Sequence, residues 1–357
     1  MKKGIVLLLV GMFYLTVQSD AQNAIRRIET KHFKAVETPE GVEKGEQLFE
    51  VTPDYHYSLQ EFRQDGKLIL EKTIFIPSFS DTQTELITRY EYAGDQLSSK
   101  TVLEDKEIKT VYKYEYDAVG QLLQETVLEK GRTVRAENSF RYDTTGNQLY
   151  ACYKYSEEDV ESGVCAQSVV YAYDEEGKKV EECWSTADDI TRCEKFEYDD
   201  KDSLITVSSV VNDEVFATVE NIFDNSGRKI ETIERKGIIT EITKYDSLSN
   251  VLSFRQLDAE ENLVVEEISE YSYEEERKTK NWRQLNHQGE IIAESIYVFD
   301  QFENLTHHSS LIQLGPDVLE SSYSREYQYD ENGNWTLKIE RRDGRPIVVA
   351  ERTIEYY

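Results

Sequence analysis

The phrase YEYDAVGQL at 114–122 returns near the far end of the chain as YQYDENGNW at 327–335. Aligned on its aspartate, the phrase recurs at Ala93, Asp117, Asp143, Asp174, Asp199, Asp224, Asp246, Glu274, Asp300 and Asp330, about 26 residues apart. A period of this length, sustained over most of 357 residues, is a repeat architecture. It replaces the two-domain expectation for a chain of this size.

Within most units, aromatic residues stand one and three positions before the aspartate: Tyr114 and Tyr116, Phe140 and Tyr142, Tyr171 and Tyr173, Tyr327 and Tyr329. A spacing of two puts both rings on one face of an extended strand, and the residues between them, such as Glu115 and Gln328, face the other way. Asp117 and Asp330 then begin turns that Gly120 and Gly333 close, because a short carboxylate accepts nearby backbone N–H groups and glycine supplies a positive φ. Leu122, Leu149, Val180 and Leu252 start the second strand. Further turn signals at Lys130-Gly131, Gly237, Gly289 and Gly344 lead into the next unit. Each unit is two antiparallel strands with two tight turns.

The recurring Y-x-Y-D-x-x-G-x-L phrase resembles the YD repeat of the RHS family, whose members are secreted or surface-associated proteins. The resemblance runs from about Tyr90 to the C-terminus, with a degenerate copy at 62–68. Ala93 and Glu274 depart from it at the aspartate, and Asp202, Ser249, Arg277 and Glu303 at the glycine; those turns are expected to be wider or differently built. The resemblance implies an all-β chain of tandem hairpins and an association with carbohydrate. The family's toxin-enclosing role is not expected, since the repeat continues to Tyr357. Two dozen strands cannot remain a flat sheet, so the expected fold is one long curled or superhelical antiparallel meander. Its tyrosine and leucine side faces inward.

The organisation expected is a signal peptide at 1–21, an N-terminal β segment with a degenerate repeat at 22–88, and a YD-repeat array at 89–357 that ends in a capping strand. Lys2 and Lys3 precede a short apolar run, Ile5 to Val17, and small residues follow at Ser19 and Ala21. That pattern is a cleavable export signal too short to span a bilayer comfortably. The mature protein is expected in the periplasm, at the cell surface or outside, with no membrane insertion after cleavage. A formal charge of −29 repels phosphate backbones and excludes nucleic acid as a partner.

Export permits disulfides. Cys152, Cys165, Cys183 and Cys193 allow three pairings, of which Cys183–Cys193 and Cys152–Cys165, each within one hairpin, are the most economical. Strand parity puts Cys183 and Cys193 on the outer face. Cys165 is in phase with Tyr171, so its bond to Cys152 would need a bulge. A zinc site is the rival, without C-x-x-C spacing. No phosphate loop, nucleophile elbow or metallopeptidase helix occurs, and no catalytic residue, metal or cofactor is expected. The motif tyrosines are read as structural, which leaves Trp184 and Trp282, outside the motif, as candidate binding residues. The functional expectation is a non-enzymatic protein offering an extended β surface to a glycan or an envelope protein of unknown identity. The alternative is an envelope assembly part that associates through exposed edge strands.

Overall fold

The computed structural model describes residues 24–50, 55–78, 80–186, 191–211 and 214–357; the proposed signal peptide lies outside the described residues. The first strands are β1 (Ile25–Thr38), β2 (Gly41–Leu48), β3 (Tyr57–Phe62), β4 (Leu68–Phe75), β5 (Thr84–Ala93) and β6 (Gln96–Glu104). They lead into β7 (Glu107–Tyr116), β8 (Leu122–Glu129), β9 (Thr133–Tyr142) and β10 (Gln148–Lys154), then the short helix α1 (Glu157–Ser162). The chain continues through β11 (Gln167–Tyr173), β12 (Lys179–Thr186), β13 (Thr191–Tyr198), β14 (Leu204–Val211), β15 (Glu214–Phe223) and β16 (Lys229–Lys236). Next come β17 (Ile239–Tyr245), β18 (Val251–Leu257), β19 (Leu263–Glu274), β20 (Arg277–Asn286) and β21 (Ile291–Asp300). β22 (Leu305–Leu314), β23 (Asp317–Tyr329), β24 (Trp335–Arg342) and β25 (Arg345–Tyr356) complete the chain.

From β3 onward each strand pairs antiparallel with the next. The first strand then meets the last: β1 pairs along one edge with β25, Ile28 opposite Ile354 and Lys34 opposite Val348. Its other edge takes β3 through Arg27 to Thr30 and β2 through His32 to Thr38. β1 and β3 to β25 therefore form a closed antiparallel barrel of 24 strands, with β2 as a flap on β1. The expected open or superhelical sheet is corrected accordingly. Every hairpin adds stagger in the same direction, and the accumulated twist and coil bring the ribbon back to its start. The segment 22–88 contributes β1, β3 and β4 to the same ring as the repeats. Closure pairs β1 with β25, while β2 pairs with β1 alone among the described strands.

Strands spaced ~4.8 Å apart and tilted ~40° give a round backbone section on the order of 45 Å across and roughly 25 Å tall. The accessible surface, 23696 Å², exceeds the about 15,000 Å² of a compact monomer of 41.6 kDa. Both walls of the barrel are wet.

Two rims hold the strands. On one, Asp117 Oδ1 accepts from the backbone N–H groups of Val119 and Gln121 at 2.9 Å each, and Gly120 at φ +97° closes the turn. The same acceptor geometry recurs at Asp143, Asp174, Asp199, Asp224, Asp246, Asp300 and Asp330. The turns expected to be wider are not: Asp202, Ser249 and Glu303 take the left-handed conformation that glycine holds elsewhere. The phrases at Ala93 and Glu274 are instead two-residue hairpins, with Ala93 opposite Gln96 and Glu274 opposite Arg277. On the other rim, Asp258 and Asn286 build turns of the aspartate kind.

Which side lines the lumen follows from register. Directly opposed residues drift toward the second rim as strand number rises, from Ile28 through Gln60, Glu71, Thr88 and Val102 to Thr110. Barrel strands coil right-handed, so the drift sets the direction in which the chain travels round. Cys183 and Cys193 stand opposite with Cα atoms 4.0 Å apart, the close spacing of a pair whose own backbone groups point to the flanking strands. Together with L-chirality, these two facts put the cysteine side outside and the tyrosine side within.

Candidate functional site

The luminal wall is a ladder of rings tied to neighbouring backbone. Tyr116 Oη donates to the carbonyl of Leu97 at 3.0 Å, Tyr142 to Leu122 at 3.0 Å, Tyr173 to Gln148 at 2.9 Å and Tyr198 to Lys179 at 2.9 Å. Each ring thereby reaches the backbone of the adjacent preceding strand. Near the other end of the array Tyr327 donates to Leu305 at 3.4 Å, and Tyr329 donates to the Asp300 carboxylate. Burial, and then the bond to Asp300, raise the Tyr329 hydroxyl above its ordinary pKa. Tyr114 is raised by burial and by the Glu125 charge. These hydroxyls serve as fixed donors.

Trp184 and Trp282 both stand on this luminal side, half-buried. The Trp184 indole lies opposite Val169, which is 2% exposed, and Arg192 places its guanidinium 6.0 Å from the ring centre. Trp282 lies between Ser269 and Ser295 on the flanking strands, both buried, and its Nε1 donates to Glu267 Oε2 at 3.0 Å. Each indole is thus a shelf over small or short neighbours, with a charged group at its edge. β12 and β20 are eight strands apart, about a third of the ring, so the two residues do not form one compact site. A chain-like ligand could touch both; a single small molecule could not.

A buried polar cluster lies where the barrel closes, and sequence reasoning missed it. Glu340 is 6% exposed and accepts from Tyr55 Oη at 2.8 Å, Arg325 Nε at 2.9 Å and Lys338 Nζ at 2.9 Å. Burial alone would raise its pKa, but the Lys338 charge and these bonds outweigh it and hold the carboxyl below its ordinary value. His32, also buried, bonds through Nδ1 to the His56 carbonyl at 2.8 Å and is pushed down chiefly by burial. Beside them Trp335 packs edge-on to Tyr327 and carries the Arg352 guanidinium 3.7 Å from its ring centre. Its members come from β1, β23, β24, β25 and the residue Tyr55; Tyr327 and Trp335 belong to the repeated phrase, but His32, Tyr55, Glu340 and Arg352 stand outside it.

The outer wall carries both disulfides. Cys183–Cys193 joins opposed residues of β12 and β13, as expected. Cys152–Cys165 also forms, but without the expected bulge. Cys165 lies beyond β10 in the connection that contains α1, so strand parity does not constrain it. Ser156 caps that helix in a reciprocal box with Asp159, and Gly163 ends it. Glu181, Cys183 and Cys193 come together, but both thiols are engaged in the disulfide. The disulfides are compatible with export.

Exposed Lys113, Lys195, Lys244, Arg255 and Glu270 also point outward. A bilayer-facing barrel needs an apolar band ~25 Å tall, and each Lys or Arg at its midplane costs about 2–4 kcal/mol. At the aspartate rim, open clefts lie between successive turns, one of about 610 Å³ lined by Asn147, Tyr171, Tyr173 and Asp174. The Asp199 turn has the same internal bonding as its neighbours.

No protein-family model matches the chain, and no curated protein does. Among solved structures, that of TcdB2-TccC3 matches 90% of this chain and 23% of its own, with 10% identity and a TM-score of 0.34. TcdB2-TccC3 without its hypervariable C-terminal region matches 88% of this chain and 22% of its own, at 9% identity and 0.33. A porin-like protein from Bacteroides uniformis matches 93% and 98%, at 12% identity and 0.22. This chain spans less than a quarter of the TcdB2-TccC3 chain. The likenesses concern the fold alone; the architecture rests on the strand pairings above.

Proposed function

We propose that this protein is an exported, non-enzymatic binding ring of the YD-repeat kind, whose lumen takes an extended glycan strand. The observation that carries the reading is the luminal placement of Trp184 and Trp282, indole shelves flanked by Arg192 and Glu267. Sugars present an apolar face and a polar edge, and an aromatic ring beside a charged hydrogen-bonding group suits both. A lumen of this breadth admits a chain that passes through it and touches the two shelves in turn. The tyrosine hydroxyls, already engaged with backbone or Asp300, brace the wall.

The test is a glycan-array screen followed by affinity electrophoresis of wild type, Trp184→Ala and Trp282→Ala. Each substitution is expected to weaken binding about tenfold, with an unchanged melting curve. Saturable binding that neither substitution alters would sink the luminal assignment.

A further inference from the structure

The closure cluster contains a cation without an anion. Over the interiors of β23, β24 and β25 the luminal side chains include Arg325, Lys338 and Arg352 but one carboxylate, Glu340, which already binds Arg325 and Lys338. Arg352 takes part in no ion pair or hydrogen bond among the described residues, and its Nε is buried without a partner. Burial pulls its pKa down to about 10, against which only the nearby Tyr327 hydroxyl acts. A guanidinium removed from water without a counter-charge is costly. The chain has 70 acidic residues, yet none pairs with Arg352 among the described residues.

The geometry fits a ligand. The Arg352 guanidinium carbon lies over the Trp335 ring, 3.7 Å from its centre. Thr30 stands opposite Arg352 on β1, and Lys338 places its Nζ 5.8 Å from the Trp335 ring centre. A guanidinium packed on an indole keeps its planar fork of donors, which suits two parallel bonds to an oxyanion.

We infer that Arg352, clamped on Trp335 and supported by Lys338, is a luminal oxyanion site that binds the carboxylate or sulfate groups of an acidic polysaccharide. The inference rests on the luminal glycan reading and adds the ligand's charge. A polysaccharide is favoured over an acidic peptide because extended peptides bind by adding to a free sheet edge, and both edges of β24 and β25 are paired.

The experiment uses the full chain with its three tryptophans in place. Binding is followed by isothermal titration calorimetry with oligogalacturonate, a sulfated oligosaccharide, a neutral oligosaccharide and poly-glutamate. The expected result is saturable, salt-weakened binding of one or both acidic saccharides, tighter than that of the neutral one. Arg352→Gln should weaken that binding about tenfold to a hundredfold. Arg352→Lys, which keeps the charge but loses the fork, should fall between, and far-UV circular dichroism should be unchanged in both. No saturable response to either acidic saccharide, equal responses in wild type and Arg352→Gln, or a preference for poly-glutamate would each overturn the inference. Neutral-glycan binding that depends on Trp184 and Trp282 would survive any of these outcomes, so the two readings fail separately.

Discussion

Replacing Glu340 with glutamine removes the one anion from a cluster that otherwise holds cations and hydroxyls. Glu340 is 6% exposed, and three donors converge on it at 2.8–2.9 Å. Breaking a buried ion pair from one side costs about 3–5 kcal/mol, because the partner charges remain. Arg325 is a third exposed, at 33%, and water screens part of its charge, so the lower figure of about 3 kcal/mol is expected. Since the folded-state pKa of Glu340 lies below its ordinary value, its contribution is complete above the unfolded-state pKa and is lost as the pH falls through the folded-state value. Protonated Glu340 and glutamine are then nearly equivalent. Urea unfolding of wild type and Glu340→Gln should differ by about 3 kcal/mol at pH 7, and the gap should narrow as pH drops from about 5 toward 2. Adding Lys338→Met should restore part of the loss at neutral pH. A gap that is the same at every pH, or smaller than about 0.5 kcal/mol at pH 7, would refute the account of Glu340 as the counter-charge of the closure.

Further outcomes follow from the turns and cross-links. Gly333→Ala and Gly227→Ala both require alanine near φ +80°, at about 1 kcal/mol each; at Gly333 the new Cβ also stands 2.9 Å from Phe302 Cε1, while at Gly227 it meets nothing within 4 Å. Thermal melts should therefore rank Gly333→Ala below Gly227→Ala, and equal midpoints would remove Phe302 from the explanation. Tyr116→Phe keeps the ring but loses the bond to Leu97, and should lower unfolding free energy by about 1 kcal/mol. Replacing Cys183 and Cys193 together with serine should cost about 2.5–3 kcal/mol in denaturant unfolding, from the short loop their bond closes.

Much of the strand and turn chemistry was legible in the repeat. The spacing of Tyr114 and Tyr116 placed both on one face, and parity set Cys183 and Cys193 on the other. What misled was the equation of phrase with turn. Ala93 and Glu274 follow Tyr-x-Tyr pairs and still form two-residue hairpins, whereas Asp258 builds the aspartate turn after Gln256 and Leu257, with no aromatic before it. The local bonding of Asp with the two N–H groups ahead of it decides the turn, and the rings belong to the wall. Closure was illegible for a different reason. It depends on stagger summed over every hairpin, and β1, which completes it, carries none of the phrase. The Glu340 and Arg352 cluster shares that origin in part: Arg325, Lys338, Glu340 and Arg352 lie on consecutive paired strands, but Tyr55 and His32 join them only because the first strand reaches the last.

That meeting has a kinetic consequence. Nearly all pairings are between strands adjacent in sequence, so hairpins can form as the chain emerges. The β1–β25 pairing, tied at its end by the Tyr357 N–H to the Ala24 carbonyl at 3.0 Å, joins residues from opposite ends of the chain. Loop-closure entropy grows only slowly with length, but a pairing of such high contact order is slow. Until it forms, β1 presents one open edge and β24 or β25 another, each able to pair with a second molecule. Refolding yield should therefore fall with protein concentration more steeply than hairpin formation does, because the last bond of the ring competes with the first bond of an aggregate.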